Sequence, residues 1–415
     1  MKIALLIHEL LINGGGERQC VCLAGALARQ GHKVTVFTCA YGRTNCFPEI
    51  CEGLTIKEVG RGPLPWLQNP WFIRGYLDMR HLAASIDEAH DIWNPHHWPA
   101  QWAAIRLKRR LGGSVLWMCN DVPTFYAKAH QVMNVVSSFI HRLYYLYDRR
   151  QNKQIDLTAL VSNAASRDFR PIYGGETIVI WPGVDPEQFR PGGDRSKIRR
   201  RFGYADSDFV LLWLGIFMPH RRLEDAIEAT ARLGAGGTRV KLLLAGSDRS
   251  YPEYLRGLKS LATRLGVGDR ITFTGSVADD EMRDFYCACD AFIFPNDQQT
   301  WGLAVLEAMA CGCPVLVSRG AGVHEVLTEE ENAVLFPPRE SALLAQKIDF
   351  LISQSELRQE IAERGMQMVR DECTWHKYAA RVSGVCQLVT NSNASRVSLS
   401  EFSANEPGIR KTPAY

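Results

Sequence analysis

Glu307 is the residue whose type and surroundings indicate chemistry most clearly. It lies in an apolar segment, Ala-Val-Leu-Glu-Ala-Met, which follows a polar turn over residues 296–300. An unpaired charge in such a segment would be costly, so we favour a bound partner over a solvated helix acid. A carboxylate can accept hydrogen bonds from two neighbouring hydroxyl groups, such as those of a ribose. The sequence therefore predicts that Glu307 binds a ligand with paired hydroxyls.

The elements around this residue predict a strand–helix–strand unit. Residues 291–294 form an apolar run typical of a buried parallel strand, a helix is expected over 302–310, and residues 314–317 form the next strand. The turn before the helix lies at the carboxyl end of its strand, where open parallel sheets bind ligands. Backbone N–H groups near Gly302 and Leu303 would face this crevice, and the helix dipole there favours a phosphate.

A longer pattern surrounds Glu307. The residues that carry it are Gln299, Trp301, Gly302, Leu303, Leu306, Glu307, Ala308, Met309, Ala310, Gly312, Pro314 and Val315. They resemble the nucleotide-sugar signature of glycosyltransferase family 4, with its frame E-G-F-G-L-x-x-L-E-A-M-A-x-G-x-P-V. The resemblance implies that Glu307 holds the donor ribose. It also implies that the first acidic position, which is Gln299 here, contacts the donor sugar beside Thr300.

A second strand–turn–helix unit begins the chain. The apolar strand 3–7 is followed by three consecutive glycines, a helix to about residue 30 and a strand over 33–38. Glycines let a backbone approach a diphosphate and leave N–H groups available at a helix start. The spacing differs from the G-x-G-x-x-G dinucleotide fingerprint, so no nicotinamide site is expected. A plain tight turn is the alternative, but G-G-x-E-R before a helix resembles the family's amino-terminal signature, which implies donor contacts at Gly15 and Gly16.

The turn after strand 209–214 resembles the family's segment G-R-L-x-P-x-K-G. Pro219 matches, Arg221 stands at the lysine position, and Ile216 stands at the arginine position. Arg222 is expected to compensate for the missing arginine, because a guanidinium binds phosphate oxygens bidentately. A solvated basic helix start is the alternative. The resemblance implies that both arginines act in catalysis by stabilising the leaving diphosphate.

Polar residues of the first half resemble acceptor-side positions of the same family. Either His96 or His97, which follow a predicted strand, could line the acceptor cleft, and ordinary loop histidines are the alternative. Asn120 stands where many members have a histidine near the transferred sugar. Asp121 follows it and is a catalytic candidate that could reach a sugar hydroxyl, although a cap or turn role explains it equally well.

Composition and charge exclude several other classes. The 415 residues suffice for two or more domains of roughly 150 residues each, and 46% hydrophobic with 22% charged residues is ordinary for a globular enzyme. A net charge of +3 argues against a nucleic-acid binder. The 12 cysteines show no zinc-ligand spacing and indicate a reducing compartment. No apolar run is long enough for a membrane span or a signal peptide, so a cytoplasmic location is expected.

Two further segments leave alternatives open. Residues 135–147 are apolar and aromatic, and basic residues follow them. A core-facing helix is the ordinary interpretation, and an amphipathic surface in peripheral contact with the cytoplasmic membrane face is the alternative. Asp206 and Asp208 have the D-x-D spacing of metal-dependent transferases, but their position before a strand favours a turn, and no metal is expected.

The strand–helix pattern predicts an α/β protein, and the resemblance implies the GT-B class, with two doubly wound Rossmann-like domains that face each other across a cleft. The expected parts are an acceptor-side domain over 1–177, a nucleotide-sugar domain over 178–375, a helix over 376–391 that crosses back to the first domain, and a disordered tail over 392–415.

The resemblance implies a retaining glycosyltransferase. It would move mannose or a similar hexose from a nucleotide-diphosphate sugar, its donor substrate, to a saccharide or lipid-linked acceptor, without a cofactor or a protein nucleophile. A nucleotide-sugar binder that has lost catalysis is one alternative, favoured by Gln299, Ile216 and Asn120. A sugar-nucleotide epimerase is another.

Overall fold

The computed structural model describes residues 1–12, 14–64, 66, 71–120, 145–235, 239–247, 251–391 and 409–411. The chain divides into two compact units. The first contains Met1–Pro182 and Trp375–Tyr415, and the second is Gly183–Thr374. The boundaries expected from the sequence lie a few residues away, after residues 177 and 375.

The strands, in chain order, are β1 (Lys2–Leu10), β2 (Lys33–Tyr41), β3 (Ile56–Glu58), β4 (Ile92–His96), β5 (Ser114–Cys119), β6 (Leu157–Leu160), β7 (Thr177–Ile180), β8 (Phe209–Leu214), β9 (Val240–Ala245), β10 (Ile271–Phe273), β11 (Ala291–Phe294), β12 (Val315–Ser318), β13 (Val334–Phe336) and β14 (Ile409–Lys411). The α-helices are α1 (Gly15–Arg29), α2 (Pro48–Cys51), α3 (Trp71–Ala84), α4 (Ala100–Leu111), α5 (Asn163–Tyr173), α6 (Arg195–Phe202), α7 (Leu223–Ala235), α8 (Pro252–Arg264), α9 (Met282–Ala288), α10 (Leu303–Ala310), α11 (Ser341–Ser353), α12 (Ser355–Glu372) and α13 (Trp375–Thr390). Residues 145–152 are mostly helical as well.

The first unit is built on a sheet with the strand order β14-β7-β6-β5-β4-β1-β2-β3. Its strands β1 to β7 are parallel, and β14 pairs antiparallel with β7. Because β14 lies inside the expected tail, the expected disorder does not extend to its three residues. Residues 392–408 and 412–415, the rest of the expected tail, lie outside the described part of the chain.

The second unit has a parallel sheet with the order β10-β9-β8-β11-β12-β13. Its central strands are apolar along their whole length, as in β8, where Val210, Leu211, Leu212 and Trp213 are all buried. Continuous apolar strands are typical of parallel sheets covered on both faces by helices. The predicted class, two doubly wound parallel α/β units, is therefore confirmed.

The chain leaves the first unit and returns to it at adjacent points. Val184 and Thr374 form an isolated parallel bridge, and the Val184 N–H donates to the Cys373 carbonyl at 2.8 Å. Beyond this pair, α13 packs on α1 in the first unit. Gln19 Nε2 donates to the Tyr378 hydroxyl at 2.5 Å in a buried contact, and His32 Nε2 lies 2.8 Å from the Ser383 hydroxyl.

No helix among the described residues is both long and apolar enough to cross a bilayer. The segment for which lipid contact was left open, 135–147, lies outside the described residues except for its last three. At that end Tyr147 packs edge-to-face on Tyr76 and Trp102. The ring of Tyr147 therefore contributes to the packing of the first unit.

A buried carboxylate fastens residues 145–152 to the neighbouring helices. Asp148 accepts hydrogen bonds from Trp102 Nε1 at 2.7 Å, from the Tyr173 hydroxyl at 2.6 Å and from Gln101 Nε2 at 3.3 Å. It is 1% exposed, and burial raises its pKa to about 6, although the three hydrogen bonds oppose that rise. Asp148 therefore keeps a proton in the folded protein over a pH range in which an unfolded chain would release it.

We expect this residue to lower the free energy of unfolding as the pH rises from about 4 to about 6, because the folded state binds the proton more tightly than the unfolded state does. Asp148→Asn removes that titration. Urea unfolding at several pH values should show a wild-type slope more negative than that of the variant, by up to about 1.4 kcal/mol per pH unit. Asp87→Asn, at an exposed carboxylate, is the control and should keep the wild-type slope. Equal slopes for wild type and Asp148→Asn would contradict the assignment.

Candidate active site

The start of α10 is shaped by close packing. Gly302 precedes the helix in extended backbone, and a Cβ there would lie 3.0 Å from both the Phe294 ring and a Val323 methyl group. Any larger residue would displace one of these buried side chains. The residue before α10 is a glycine, so it has no side chain to cap the helix, and the first backbone N–H groups of α10 are of the kind that bind an anion.

Glu307 is buried on α10, with 4% of its surface exposed. The Tyr286 hydroxyl, from α9, donates to Glu307 Oε2 at 2.7 Å. The carboxylate thus has the hydrogen-bond partner that its apolar surroundings require. Tyr286 was not predicted as part of the site, because it lies in a mostly apolar helix where an aromatic residue is typical of the core.

The structure brings together Gln299 and Arg221, which are distant in sequence. Arg221 Nη1 donates to Gln299 Oε1. Gln299 is itself held by its backbone: its N–H donates to the Gly320 carbonyl at 3.2 Å, and its carbonyl accepts from the Gly322 N–H at 2.8 Å. Thr300 follows and is partly exposed. A cation and an amide therefore meet beside the turn that leads to α10.

Backbone contacts join the turn that carries Arg221 to the turn before α10. The Asp297 N–H donates to the His220 carbonyl at 2.8 Å. On the other side of the same turn, a Cβ at Gly246 would overlap the Gly215 carbonyl oxygen at 1.6 Å. Gly246 also has φ of 155°, a conformation that favours glycine. The loops that follow β8, β9 and β11 therefore meet at one edge of the sheet.

Arg222, the second expected cation, is paired with carboxylates. Its guanidinium donates to Asp225 at 2.7 and 3.1 Å and to Glu224 at 2.6 Å. The Tyr254 hydroxyl donates to the same Glu224 at 2.6 Å. The charge of Arg222 is therefore balanced by two carboxylates at the start of α7, and the proposal below uses Arg221 alone.

In the first unit, Gly16 lies directly against His97. Helix α1 begins at Gly15, and a Cβ on Gly16 would lie 1.9 Å from His97 Nε2. His97 has a left-handed backbone, with φ of 60°, and its N–H donates to the Met118 carbonyl at 3.3 Å. The structure thus places the glycine turn and one of the two candidate histidines side by side.

His96 lies elsewhere. It is 0% exposed, and its Nε2 is 3.0 Å from Asn94 Oδ1. Burial, with a smaller contribution from His97, lowers the pKa of His96 to about 3, so the ring is neutral at ordinary pH. A fully buried neutral ring does not line a cleft, and of the two histidines only His97 stays a candidate.

Asn120 follows β5 and is 7% exposed. Within the described residues neither atom of its amide group has a hydrogen-bond partner. Asp121, the catalytic candidate beside it, lies outside the described residues.

A cluster of buried charges at the end of β1 was not predicted. Asp78 is fully buried; it accepts from Arg74 Nε at 2.8 Å and from the Gly62 N–H at 2.7 Å, and its Oδ2 lies 2.9 Å from His8 Nε2. Burial lowers the pKa of His8. The one sequence signal is that His8 and Glu9 interrupt the first apolar strand.

The predicted turn at Asp206 and Asp208 is confirmed. Asp208 Oδ2 accepts the Ala205 N–H at 2.9 Å, which closes the turn before β8. In the described part of the chain, no group of three or more histidine, cysteine, aspartate or glutamate side chains is arranged to hold a metal ion.

Comparisons with known proteins match nearly the whole chain. Residues 13–188 match the model of the family described as Glycosyltransferase Family 4, and residues 194–368 match that of Glycosyl transferases group 1. A D-inositol 3-phosphate glycosyltransferase from Geodermatophilus obscurus is 28% identical over 369 residues, which cover 83% of this chain and 79% of the relative.

Two solved structures show the same fold. The Anabaena protein Alr3699/HepE in complex with UDP-glucose aligns with a TM-score of 0.76 at 20% identity, over 93% of this chain and 100% of that one. Sucrose-phosphate synthase from Thermosynechococcus elongatus aligns with a TM-score of 0.77 at 20% identity, over 93% of this chain and 98% of the other.

Gly16→Ala is expected to destabilise the first unit by roughly 1–3 kcal/mol, because the new methyl group overlaps the His97 ring and a packed region must shift. Gly25→Ala, in the same helix, is the matched control. Its Cβ would meet nothing closer than 3.5 Å, so stability should be unchanged or rise by up to about 1 kcal/mol. Urea unfolding of both variants is the measurement, and similar values for the two would refute the close contact.

Proposed function

Because the chain belongs to glycosyltransferase family 4, also described as group 1, and has the GT-B fold, we propose that it is a retaining, metal-independent hexosyltransferase. Its donor is a nucleotide-diphosphate hexose and its acceptor a saccharide or a lipid-linked saccharide. The observation that carries the proposal is the meeting of Arg221, Gln299 and the start of α10 at one edge of a parallel sheet, with Glu307 one turn further along that helix. A cation, an amide and helix N–H groups are suited to a diphosphate and a sugar, and the carboxylate to a ribose.

In the proposed reaction, the bond between the anomeric carbon of the hexose and the diphosphate oxygen breaks, and negative charge grows on that oxygen. Arg221 and the N–H groups near Gly302 and Leu303 stabilise the charge in the transition state. The backbone N–H groups near Gly15 and Gly16 are proposed to stabilise the same negative charge. An acceptor hydroxyl attacks the same face, and its proton passes to an oxygen of the leaving diphosphate.

Gln299 suits this arrangement as an amide. Its carbonyl oxygen already accepts from Arg221. The amide nitrogen remains a donor for a sugar hydroxyl, whereas a carboxylate could only accept. A glutamate at this position would also pair its charge with Arg221 and reduce the attraction of that cation for the diphosphate. We therefore propose that Gln299 is a working substitution for the family's glutamate.

The names of the relatives favour a hexose donor. One solved neighbour is a complex with UDP-glucose. Two other names refer to phosphorylated acceptors or products. They are the D-inositol 3-phosphate glycosyltransferase, which is similar in sequence, and the sucrose-phosphate synthase, which is similar in fold. UDP-glucose and GDP-mannose are therefore the first donors to test. Inositol phosphate, hexose phosphates and a lipid-linked saccharide are the first acceptors.

A nucleotide-sugar binder without catalysis is the second candidate. Ile216 stands where the family has an arginine, and the charge of Arg222 is balanced by two carboxylates, so neither position offers an uncompensated second cation for the diphosphate. Such a protein would bind the donor and transfer nothing. An epimerase would convert the hexose of the donor with no acceptor present.

Release of nucleoside diphosphate from each donor, with and without acceptor, tests the proposed activity. We expect acceptor-dependent turnover in the wild type and a fall in kcat of about 10²–10³ in Arg221→Ala, the size expected for one lost transition-state donor. Arg221→Lys should retain part of the rate, since it restores the family's residue. Arg256→Ala, at an exposed arginine, is the control and should match the wild type. A raised KM with unchanged kcat in Arg221→Ala would show that Arg221 binds the ground state only.

Glu307→Ala is expected to weaken binding of the nucleoside diphosphate by roughly 1.5–3 kcal/mol, the range for hydrogen bonds to a charged group. Titration calorimetry with a ribose nucleotide and its 2′-deoxy form gives a sharper comparison. The wild type should prefer the ribose form, and the variant should distinguish the two much less. Retention of the wild-type ribose preference in Glu307→Ala would show that Glu307 does not contact the ribose.

A further inference from the structure

The segment that follows β12 runs alongside Gln299, the proposed contact to the donor sugar. The Gln299 N–H donates to the Gly320 carbonyl at 3.2 Å, and Gln299 forms an isolated parallel bridge with Ala321. The Gly322 N–H donates back to the Gln299 carbonyl at 2.8 Å. Three successive residues of this segment are therefore neighbours of Gln299 in the backbone.

His324 lies in the next part of the same segment. A 3₁₀ helix extends over Gly322–Val326, and its Val323 packs against the start of α10, where a Cβ on Gly302 would lie 3.0 Å from a Val323 methyl group. His324 follows and is partly exposed, whereas Val323 is buried. His324 is thus an accessible polar side chain, and the residues before it contact both ends of the turn that leads to α10.

One contact with the backbone fixes the proton of the His324 ring. Nδ1 lies 2.8 Å from the Ala321 carbonyl oxygen. Because a carbonyl oxygen can only accept, Nδ1 carries the proton in this contact. In the neutral ring Nε2 then has a lone pair and is an acceptor. Within the described part of the chain, Nε2 has no hydrogen-bond partner. The ring is therefore oriented with one nitrogen left for a ligand.

Two acceptors of the turn before α10 are already paired with arginines. Gln299 Oε1 accepts from Arg221, and the amide nitrogen of Gln299 can only donate. Asp297 Oδ2 accepts from Arg339 Nε at 2.8 Å. A sugar hydroxyl that accepts from the Gln299 amide still has its own proton to donate, and that proton needs an acceptor. The family's glutamate at position 299 would supply such an acceptor, and an amide paired with Arg221 does so less well.

We propose that His324 Nε2 accepts a hydrogen bond from a hydroxyl of the donor hexose, and that it replaces the acceptor which is lost where Gln299 stands in place of a glutamate. The proposal rests on the proposed function, because it requires a nucleotide sugar bound with its hexose beside Gln299. The Gln299 amide then donates to the hexose and the His324 imidazole accepts from it. His324 is in this way a residue that determines specificity for the donor sugar.

Two substitutions separate this role from a purely structural one. A histidine that only fastens the 3₁₀ helix to Ala321 needs Nδ1 alone. His324→Asn keeps a donor near the place of Nδ1 and has no atom at the place of Nε2. His324→Gln extends an amide to the place of Nε2, where its oxygen can accept, and has no donor at Nδ1. A structural role makes His324→Asn the milder change, whereas the proposed role makes His324→Gln the milder one.

Binding is measured by titration calorimetry on the full-length protein with matched probes, UDP-glucose against UDP and GDP-mannose against GDP. The nucleoside diphosphate lacks the hexose, so the ratio of the two dissociation constants isolates the sugar contacts. We expect His324→Asn to weaken binding of the nucleotide sugar about tenfold and to leave binding of the nucleoside diphosphate unchanged. His324→Gln should retain most of the wild-type ratio. His376→Ala, at an exposed histidine of α13, is the control and should match the wild type.

Gln299→Glu provides a second test, because it restores a carboxylate acceptor beside the hexose. In the Gln299→Glu background, His324→Asn should change binding of the nucleotide sugar very little, since the carboxylate accepts from the same hydroxyl. A loss of equal size in both backgrounds would show that the two residues do not share a hydroxyl, and it would overturn the proposal.

The remaining outcomes are equally decisive. The proposal is wrong if His324→Asn binds the nucleotide sugar better than His324→Gln does, or if His324→Asn weakens both probes of a pair alike. It is also wrong if Glu325→Gln lowers the preference for the nucleotide sugar and His324→Asn does not, because the neighbouring carboxylate is then the acceptor. If the wild type binds none of the four probes, the proposed function fails and the role of His324 fails with it. Binding of the probes with an unchanged ratio in His324→Asn removes the role of His324 alone.

Discussion

The need to pair a buried carboxylate governs the architecture around Glu307. At 4% exposure, its charge is tolerable only with hydrogen-bond donors close by, and Tyr286 supplies one of them from the preceding helix. This hydrogen bond joins α9 to α10, and the first turn of α10 follows the loop after β11. The polar site and the apolar core of the second unit are therefore parts of one packing arrangement.

The remaining polar groups of the site are held mainly by backbone. Gln299 is anchored by hydrogen bonds to Gly320 and Gly322, and the Asp297 N–H joins the neighbouring turn at His220. These backbone hydrogen bonds hold the two turns in place, and the side chains of Gln299 and Arg221 contact each other between them. Such support from rigid elements is what a site needs to hold catalytic groups in place before the substrate arrives.

Most of the fold could be predicted from the sequence, because parallel strands buried on both faces give apolar runs that periodicity detects, as at 209–214 and 291–294. Contacts between side chains that are distant in the sequence could not be predicted. Nothing in the sequence indicated that Tyr286 reaches Glu307 or that Arg221 meets Gln299, since these contacts depend on how distant segments pack. The sequence could not distinguish His96 from His97, because the two residues are adjacent. The left-handed backbone at His97 places its ring beside the glycine turn, whereas the His96 ring is buried in the core.

The paired crossing at Val184 and Thr374 makes the second unit a single continuous insertion whose two ends are hydrogen-bonded neighbours. An insertion with adjacent ends can be exchanged for a related one without lengthening or rerouting the host chain. Two recombination points, at the codons on either side of this pair, would transfer the whole second unit between homologous genes. The first unit, including α13, would stay intact. The topology thus offers a route by which the two units can be inherited separately.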